Sequence, residues 1–257
     1  MLVPVALVVG GIVGFGLLKL RKYFAGGVCR SQAKLDGKTV IVTGANTGIG
    51  LATAVDLAKR NARVILACRS VEKGERAAVD VRKRSGNDNV VFVQLDLASL
   101  DSVRKFAAKV LEEEPQIDIL INNAGMFATA FSQTKDGFES AFGVNHLGHF
   151  LLTNLLLDHL KKAPSARIVN VASHAYINCP IDFNDLNYSE QKSSYNGFVA
   201  YGRSKMANIL FTRKLARQLQ ETGVTVNALH PGVVYTEIFR EFNIYICLLY
   251  TSDAADE

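Results

Sequence analysis

Residues Thr43-Gly44-Ala45-Asn46-Thr47-Gly48-Ile49-Gly50 follow a short β-branched run and precede a helical pattern. In a turn of this kind Gly44 permits the tight bend, Gly48 lets the backbone approach a pyrophosphate, and Gly50 lets the helix pack on the strand. The helix N-terminus adds free N–H groups and a partial positive charge, which suit phosphates. The order of strand, glycine turn and helix predicts a dinucleotide-binding βαβ unit, with an ordinary glycine-rich turn as the alternative.

The rest of the chain continues this alternation. Six short, mostly β-branched runs are separated by stretches of helical periodicity, which predicts buried parallel strands joined by helices. The runs are Thr39–Val42, Arg63–Ala67, Val90–Leu95, Ile117–Ile121, Arg167–Val171 and Val224–Leu229. We therefore predict an α/β fold, a doubly wound parallel sheet of the Rossmann type, as a single domain over residues 38–246.

Composition excludes several classes of protein. The 257 residues are 49% hydrophobic and 21% charged, which is too mixed for a disordered, collagenous or disulfide-rich chain. The four cysteines form no CxxC pair and the five histidines no HExxH pattern, so we expect a reducing compartment and no metal site. The excess of basic residues lies next to the N-terminus, so we expect no nucleic-acid partner.

The N-terminal segment predicts a membrane anchor. Residues 2–18 carry no charge and Lys19, Arg21 and Lys22 follow at once, and such a run is at the short end of the roughly 17–25 residues that cross a bilayer as a helix. We predict an uncleaved anchor at residues 1–18 and a basic neck at 19–37. The positive-inside rule then places the catalytic domain in the cytosol. An interfacial hairpin or a buried helix is the alternative.

The last eleven residues, Cys247 to Glu257, read CLLYTSDAADE and show no periodicity. They resemble the translation of a sequencing adapter, so we expect residues 247–257 to be a non-native tail. On this interpretation the natural chain continues past about Ile246 and the catalytic domain is incomplete, which would leave the printed chain an inactive fragment. A genuine acidic C-terminus is the alternative.

Cofactor choice is expected to depend on the end of the second predicted strand, Ala67-Cys68-Arg69. NAD-binding folds place an acidic residue there, on the ribose 2′-hydroxyl. These positions hold no carboxylate to repel a 2′-phosphate, and the Arg69 guanidinium can pair with one. We therefore predict NADP(H) over NAD(H), with a solvated surface charge as the alternative for Arg69. Asp96 is placed either to meet the adenine or to cap the helix that begins near Ser99.

Tyr201 and Lys205 are four residues apart on a predicted helix that runs to about Gln220, so they share one face. Reduction of a carbonyl needs a proton donor for the oxygen. A phenol has an ordinary pKa of about 10, and we expect the Lys205 ammonium to lower the pKa of Tyr201 toward neutrality. A Tyr and a Lys at this spacing usually lie on the exposed face of a helix without a catalytic role, so the assignment depends on the other motifs.

Those motifs follow the later strands in turn: Asn122-Asn123-Ala124-Gly125, Asn145 within Val144–Gly148, Ser173, and Pro231-Gly232. Most of them should converge on the carboxyl edge of the sheet, where open α/β folds bind ligands. With the glycine turn and the Tyr–Lys pair in order, the chain resembles the short-chain dehydrogenase/reductase family over residues 38 to about 242.

This resemblance implies roles for individual residues. Tyr201 would be the general acid/base, Lys205 the ribose ligand, Ser173 the hydroxyl that orients the carbonyl oxygen, Asn145 the holder of a water relay, and Asn123 a brace for the sheet. The implied contacts to NADP(H) are Gly44, Asn46, Thr47, Gly48, Ile49, Gly50, Arg69, Asp96, Leu97, Asn123, Tyr201, Lys205 and Pro231. His174 and Ser204 are alternatives to Ser173, which could instead merely cap its loop.

Within the family, the anchor and the motifs GVNHLGHF at residues 143–150 and HPGVV at 230–234 are similar to membrane-bound retinol dehydrogenases that prefer NADP(H). This implies reduction of retinal or a related lipophilic carbonyl, or oxidation of the alcohol, at the endoplasmic reticulum or a similar membrane. Some members of the family pair subunits, so a homo-oligomer is a further expectation. A steroid or fatty-aldehyde reductase and a catalytically silent NADP(H)-binding protein are the alternatives.

Overall fold

A computed structural model of the chain describes residues 29–188, 192–232 and 234. The predicted anchor at 1–18, residues 19–28 of the neck, and the tail at 247–257 lie outside these ranges. In the described part of the chain no helix has the length and hydropathy to cross a membrane. Residues Ala33–Pro231 belong to one compact unit, and the described residues outside it (29–32, 232 and 234) have no regular secondary structure.

Strands and helices alternate along this unit as predicted. The strands are β1 (Thr39–Thr43), β2 (Arg63–Cys68), β3 (Val90–Gln94), β4 (Ile119–Asn122), β5 (Arg167–Val171) and β6 (Thr225–Leu229). The main helices are α1 (Gly48–Lys59), α2 (Val71–Ser85), α3 (Leu100–Glu113), α4 (Gly148–Lys162) and α5 (Gly197–Gln218). Shorter pieces are a helical turn at Ser140–Phe142, a π-helical turn at Gly143–Leu147, and 3₁₀ turns at His174–Tyr176 and Lys192–Ser194.

The six strands form one parallel sheet in the order β3-β2-β1-β4-β5-β6. The predicted doubly wound fold is therefore confirmed. The chain reverses its direction of travel across the sheet between β1 and β4, which is where open sheets of this kind bind ligands beyond the strand ends.

Hydrophobic residues cover both faces of the sheet. Val40 and Val42 of β1 pack with α1 and α2, and Ile41, which points to the opposite face, joins a cluster with α3, α4 and α5. The helices therefore support the sheet from both faces, up to the carboxyl ends of the strands. These ends carry the candidate site.

Candidate active site

The glycine turn after β1 has the shape that the sequence predicted. Gly44 has φ +65°, and a Cβ at this position would come within 2.9 Å of the Ala124 Cα. A Cβ at Gly50 would collide with the Gly44 carbonyl oxygen, so helix and turn touch only because both residues are glycine. Thr47 precedes α1 without capping it, and the first turn of α1 holds no acidic residue. These features fit an anionic group such as a phosphate at this helix end.

Asn123 ties this turn to the neighbouring strand. Its Nδ2 donates to the Thr43 carbonyl oxygen at 2.8 Å, and the Thr43 Oγ1 accepts from the backbone N–H groups of Asn123 and Ala124, both at 2.9 Å. These bonds join the ends of β1 and β4, which is the position that the predicted brace would need. The contact of Asn123 with a cofactor stays a prediction.

Arg69 and Asp96 lie just beyond the ends of β2 and β3. The Arg69 side chain is exposed, and its carbonyl accepts from Gln94 Nε2 at 3.1 Å. Asp96 accepts from the Ala98 N–H at 3.1 Å and pairs with Lys135 at 3.1 Å. The alternative in which Asp96 caps α3 is wrong, because Ser99 is the cap.

The structure brings Tyr201, Lys205 and Ser173 together. Tyr201 and Lys205 lie one turn apart near the start of α5, with the Lys205 Nζ 5.4 Å from the centre of the Tyr201 ring. Ser173 follows β5 and lies near enough to Tyr201 for its hydroxyl to lower the pKa of the phenol. It also accepts from the Ala175 N–H at 3.3 Å, so it caps the short turn that follows. Ser173 therefore has the structural role given as its alternative, and its predicted contact with the carbonyl oxygen stays a prediction.

The electrostatics differ from expectation in one respect. Burial raises the pKa of Tyr201, and the hydrogen bond from Ser173 offsets only part of this. The expectation that Lys205 lowers the pKa of Tyr201 is wrong for the protein by itself. The reason is geometric, since the Lys205 Nζ lies against the ring and donates to the Val171 carbonyl oxygen at 2.9 Å. Burial also lowers the pKa of Lys205 to about 8.

Asn145 lies fully buried in the π-helical turn. Its Oδ1 accepts from the Met126 N–H at 2.8 Å, and its Nδ2 donates to the Met126 carbonyl and to the Ser204 Oγ, both at 3.0 Å. Ser204 is itself fully buried and donates to the Tyr201 carbonyl, so it supports Asn145. His174, the other alternative to Ser173, is exposed and stacks near His230. The water relay assigned to Asn145 stays a prediction.

Two buried polar residues were missed by the sequence reasoning. Glu139 is fully buried, accepts from the N–H groups of Ala141 and Phe142, and receives the Tyr195 hydroxyl at 2.8 Å. Through Tyr195, Glu139 thereby links the segment between β5 and α5 to the helical turn that precedes Asn145. His149 bonds to both Thr43 and Asn145. The only sequence signal was position, since His149 lies within the motif at residues 143–150 and Glu139 lies four residues before it.

Replacing the buried Lys205 by Met is expected to raise the free energy of unfolding at pH 7 by about 2 kcal/mol, with burial of the charge costing about 3 and the lost hydrogen bond returning about 1. Because the pKa of Lys205 falls from its ordinary value of 10.5 to about 8, the cost is fully present below pH 8. Between these two pKa values the folded protein binds fewer protons than the unfolded chain, so the wild type gains stability as pH rises. Urea unfolding at neutral and alkaline pH measures the difference in free energy of unfolding between Lys205→Met and the wild type.

The exposed Lys214 of the same helix provides the control. We expect Lys214→Met to change stability by less than about 0.5 kcal/mol at either pH. A Lys205→Met protein less stable than the wild type at neutral pH would contradict the assignment of an unfavourable buried charge.

Comparison with known proteins agrees with this fold and site. Residues 38–183 and 187–244 match the family of short chain dehydrogenases. The chain therefore belongs to this family, and it is an oxidoreductase.

Individual relatives and one solved structure show which members of the family the chain is similar to. The chain is 56% identical to retinol dehydrogenase 13 of Homo sapiens over 236 residues, which cover 92% of the chain and 70% of the relative. It is 54% identical to human retinol dehydrogenase 12 over 231 residues, covering 90% and 72%. The solved active-site complex of Pseudomonas aeruginosa RhlG with NADP is 28% identical, with a TM-score of 0.66 and coverage of 81% and 77%.

Proposed function

We propose that this protein is an NADP(H)-dependent oxidoreductase that interconverts a lipophilic aldehyde and its alcohol, with retinal and retinol as the substrate pair. The observation that carries the proposal is that Tyr201 and Lys205 lie one turn apart on α5, with the Lys205 Nζ 5.4 Å from the centre of the Tyr201 ring and Ser173 beside the phenol. This arrangement lies at the carboxyl edge of a sheet whose glycine turn suits a phosphate. The substrate class is proposed from the retinol dehydrogenases, which share more than half of their aligned residues with the chain.

The chain's residues fit a nicotinamide dinucleotide. Gly44 and Gly50 allow the turn to pack closely on Ala124 and on α1, and Gly48 has φ +55°. The diphosphate would lie at the N-terminus of α1, which the Thr47 side chain does not cap. Arg69 at the end of β2 would meet the ribose 2′-phosphate, which supports NADP(H) over NAD(H). The remaining proposed contacts are Asn46, Thr47, Ile49, Asp96, Leu97, Asn123 and Pro231. When bound, the nicotinamide supplies the hydride that reaches the carbonyl carbon in reduction.

Tyr201 is proposed to give its phenolic proton to the carbonyl oxygen as the carbon accepts the two electrons of the hydride, so the product is a neutral alcohol. Its raised pKa keeps the phenol protonated near neutral pH, which is the form that reduction needs. Ser173, which lies beside Tyr201, would orient the same carbonyl oxygen. Lys205 would hold the nicotinamide ribose, and Asn145 would hold the water that returns a proton to the site.

Residues 1–18 are proposed to anchor the enzyme in the endoplasmic reticulum membrane, with the catalytic domain in the cytosol. The support is the charge-free run followed by basic residues. An anchor of this kind would hold the site beside a bilayer in which a lipophilic substrate is concentrated.

The test is an assay of the detergent-solubilised chain with all-trans-retinal and either NADPH or NADH. We expect retinal consumption to match retinol formation, and NADPH to be preferred. A fatty aldehyde and a ketosteroid are assayed in parallel, and turnover of one of these instead of retinal would replace the proposed substrate class. A protein that binds NADPH and reduces none of the three would be a silent binding protein, and the enzymatic proposal would be wrong.

A further inference from the structure

His149 lies on the first turn of α4, buried to 2% exposure, between two parts of the site. Its Nε2 is 2.9 Å from the Thr43 Oγ1, at the end of β1 next to the glycine turn. Its Nδ1 is 3.0 Å from the Asn145 carbonyl oxygen in the π-helical turn. One side chain thus contacts both the cofactor turn and the segment that carries Asn145.

The hydrogen bonds fix the tautomer of this imidazole. A carbonyl oxygen only accepts, so the Nδ1 must carry a hydrogen to bond with Asn145. The Thr43 Oγ1 already accepts two backbone N–H groups, and it lies closer to the His149 Nε2 (2.9 Å) than to the Ile121 carbonyl oxygen (3.4 Å). The hydroxyl therefore donates to an unprotonated Nε2, and the ring is neutral.

The surroundings of the ring also favour the neutral form. Burial is the main cause that lowers the pKa of His149 to about 4; the bond to Asn145 opposes it, and the charges of Lys205 and His146 act in the same direction as burial. The Asn145 carbonyl in addition accepts from Asn208 Nδ2 of α5 at 3.0 Å. The π-helical turn, α4 and α5 are therefore joined at the Asn145 carbonyl oxygen.

We propose that His149, as the Nδ1–H tautomer, is a positioning residue that locks the glycine turn to the Asn145 carbonyl and thereby aligns the cofactor site with the Tyr201 helix. The link runs in one direction, from the Thr43 hydroxyl to the ring and from the ring to Asn145. Its two halves should serve different steps, since Thr43 adjoins the dinucleotide turn and Asn145 adjoins the proton-transfer residues. The kinetic half of this proposal rests on the function proposed above.

Two amide substitutions separate the halves. In His149→Asn the Nδ2 lies where the ring Nδ1 lay, so the bond to Asn145 can persist while the bond from Thr43 is lost. In His149→Gln the Oε1 can still accept from Thr43, while the donor to Asn145 is lost. We expect His149→Asn to weaken NADPH binding about tenfold with kcat within about threefold, and His149→Gln to lower kcat about tenfold with NADPH binding within about threefold.

The same substitutions at His159, at the other end of α4, are the matched controls, and we expect them to change neither quantity. NADPH affinity is measured by equilibrium titration, which needs no turnover, and urea unfolding reports whether each variant is folded. Equal effects of both His149 variants on binding and kcat, or no effect of either, would overturn the proposal.

A direct measurement keeps the proposal testable even if both variants unfold. Nitrogen NMR of the histidine-labelled wild-type protein should show one ring with a protonated Nδ1, a bare Nε2 and no titration between about pH 6 and pH 8. His146 is also partly buried, and its Nδ1 lies 3.0 Å from the Asn208 Oδ1. The signal of His149 is therefore assigned by its loss in a His149 variant, or by its persistence in a His146→Gln variant. A protonated Nε2, or titration near the ordinary histidine range, would overturn the proposal. If the NMR pattern holds while wild-type protein reduces no carbonyl, the proposed function has failed and the tautomer lock has not.

Discussion

A Tyr201→Phe variant is expected to lose about 10³-fold in turnover while binding NADPH as tightly as the wild type. The substitution removes only the hydroxyl that would protonate the carbonyl oxygen, and general acid catalysis contributes roughly 10²- to 10⁴-fold. The ring itself should stay in place, since it packs against Phe127 with ring centres 5.8 Å apart. Turnover with retinal and equilibrium titration of NADPH measure the two quantities separately.

The chain offers a matched control at Tyr195, a second phenol with a described hydrogen bond. Its hydroxyl bonds to the buried Glu139 at 2.8 Å and takes no part in the proposed proton transfer. Tyr195→Phe should therefore lower stability by about 1 kcal/mol and leave turnover within about threefold. A Tyr201→Phe protein that turns over within tenfold of the wild type would show that another group donates the proton.

The raised pKa of Tyr201 illustrates what the sequence could and could not predict. Spacing alone placed Lys205 one turn from Tyr201, and the structure agrees. Spacing does not reveal burial, and in the folded protein burial raises the pKa of the phenol, so the direction of the shift was predicted wrongly. The consequence is chemical, since a protonated phenol suits reduction and oxidation would first require its proton to leave.

The strands were predictable because buried parallel strands are continuous apolar runs, and such runs are visible in the sequence. The start of β4 was not, because Ile117 is fully buried but lies before the strand, which begins at Ile119. Next to it the Asp118 carboxylate accepts the Thr39 N–H and pairs with Lys38 at 2.9 Å. Burial and strand pairing are separate properties, and hydrophobicity reports only the first.

Some features of the candidate site were likewise predictable from the sequence and others were not. Motif residues that act through the backbone, such as Gly44 and Gly50, can be recognised from the sequence because few other residue types fit those positions. Links between distant residues are not, and Thr43 and His149 are separated by 106 positions. Their contact depends on how α4 packs against β1, which the three-dimensional structure alone displays.

An Arg69→Asp variant is expected to lose about 10²-fold in kcat/KM with NADPH and to change less than about tenfold with NADH. Arg69 is exposed at the end of β2, and no ion pair within the described ranges engages its guanidinium, so it is available to a phosphate. A charge-assisted, forked hydrogen bond contributes about 1.5–3 kcal/mol, and an aspartate adds repulsion of the 2′-phosphate. The same aspartate can accept a hydrogen bond from the free 2′-hydroxyl of NADH.

Two further variants separate these contributions. Arg69→Gln removes the charge without adding repulsion, so its loss with NADPH should fall between those of the wild type and Arg69→Asp. Arg84→Asp, at the far end of α2, changes the net charge equally but lies away from the strand end, and it should leave both cofactors unaffected. Equal losses with NADPH and NADH would mean that Arg69 supports the fold of the turn. Unchanged values would make Arg69 a solvated surface charge, and the preference for NADP(H) would then need another source.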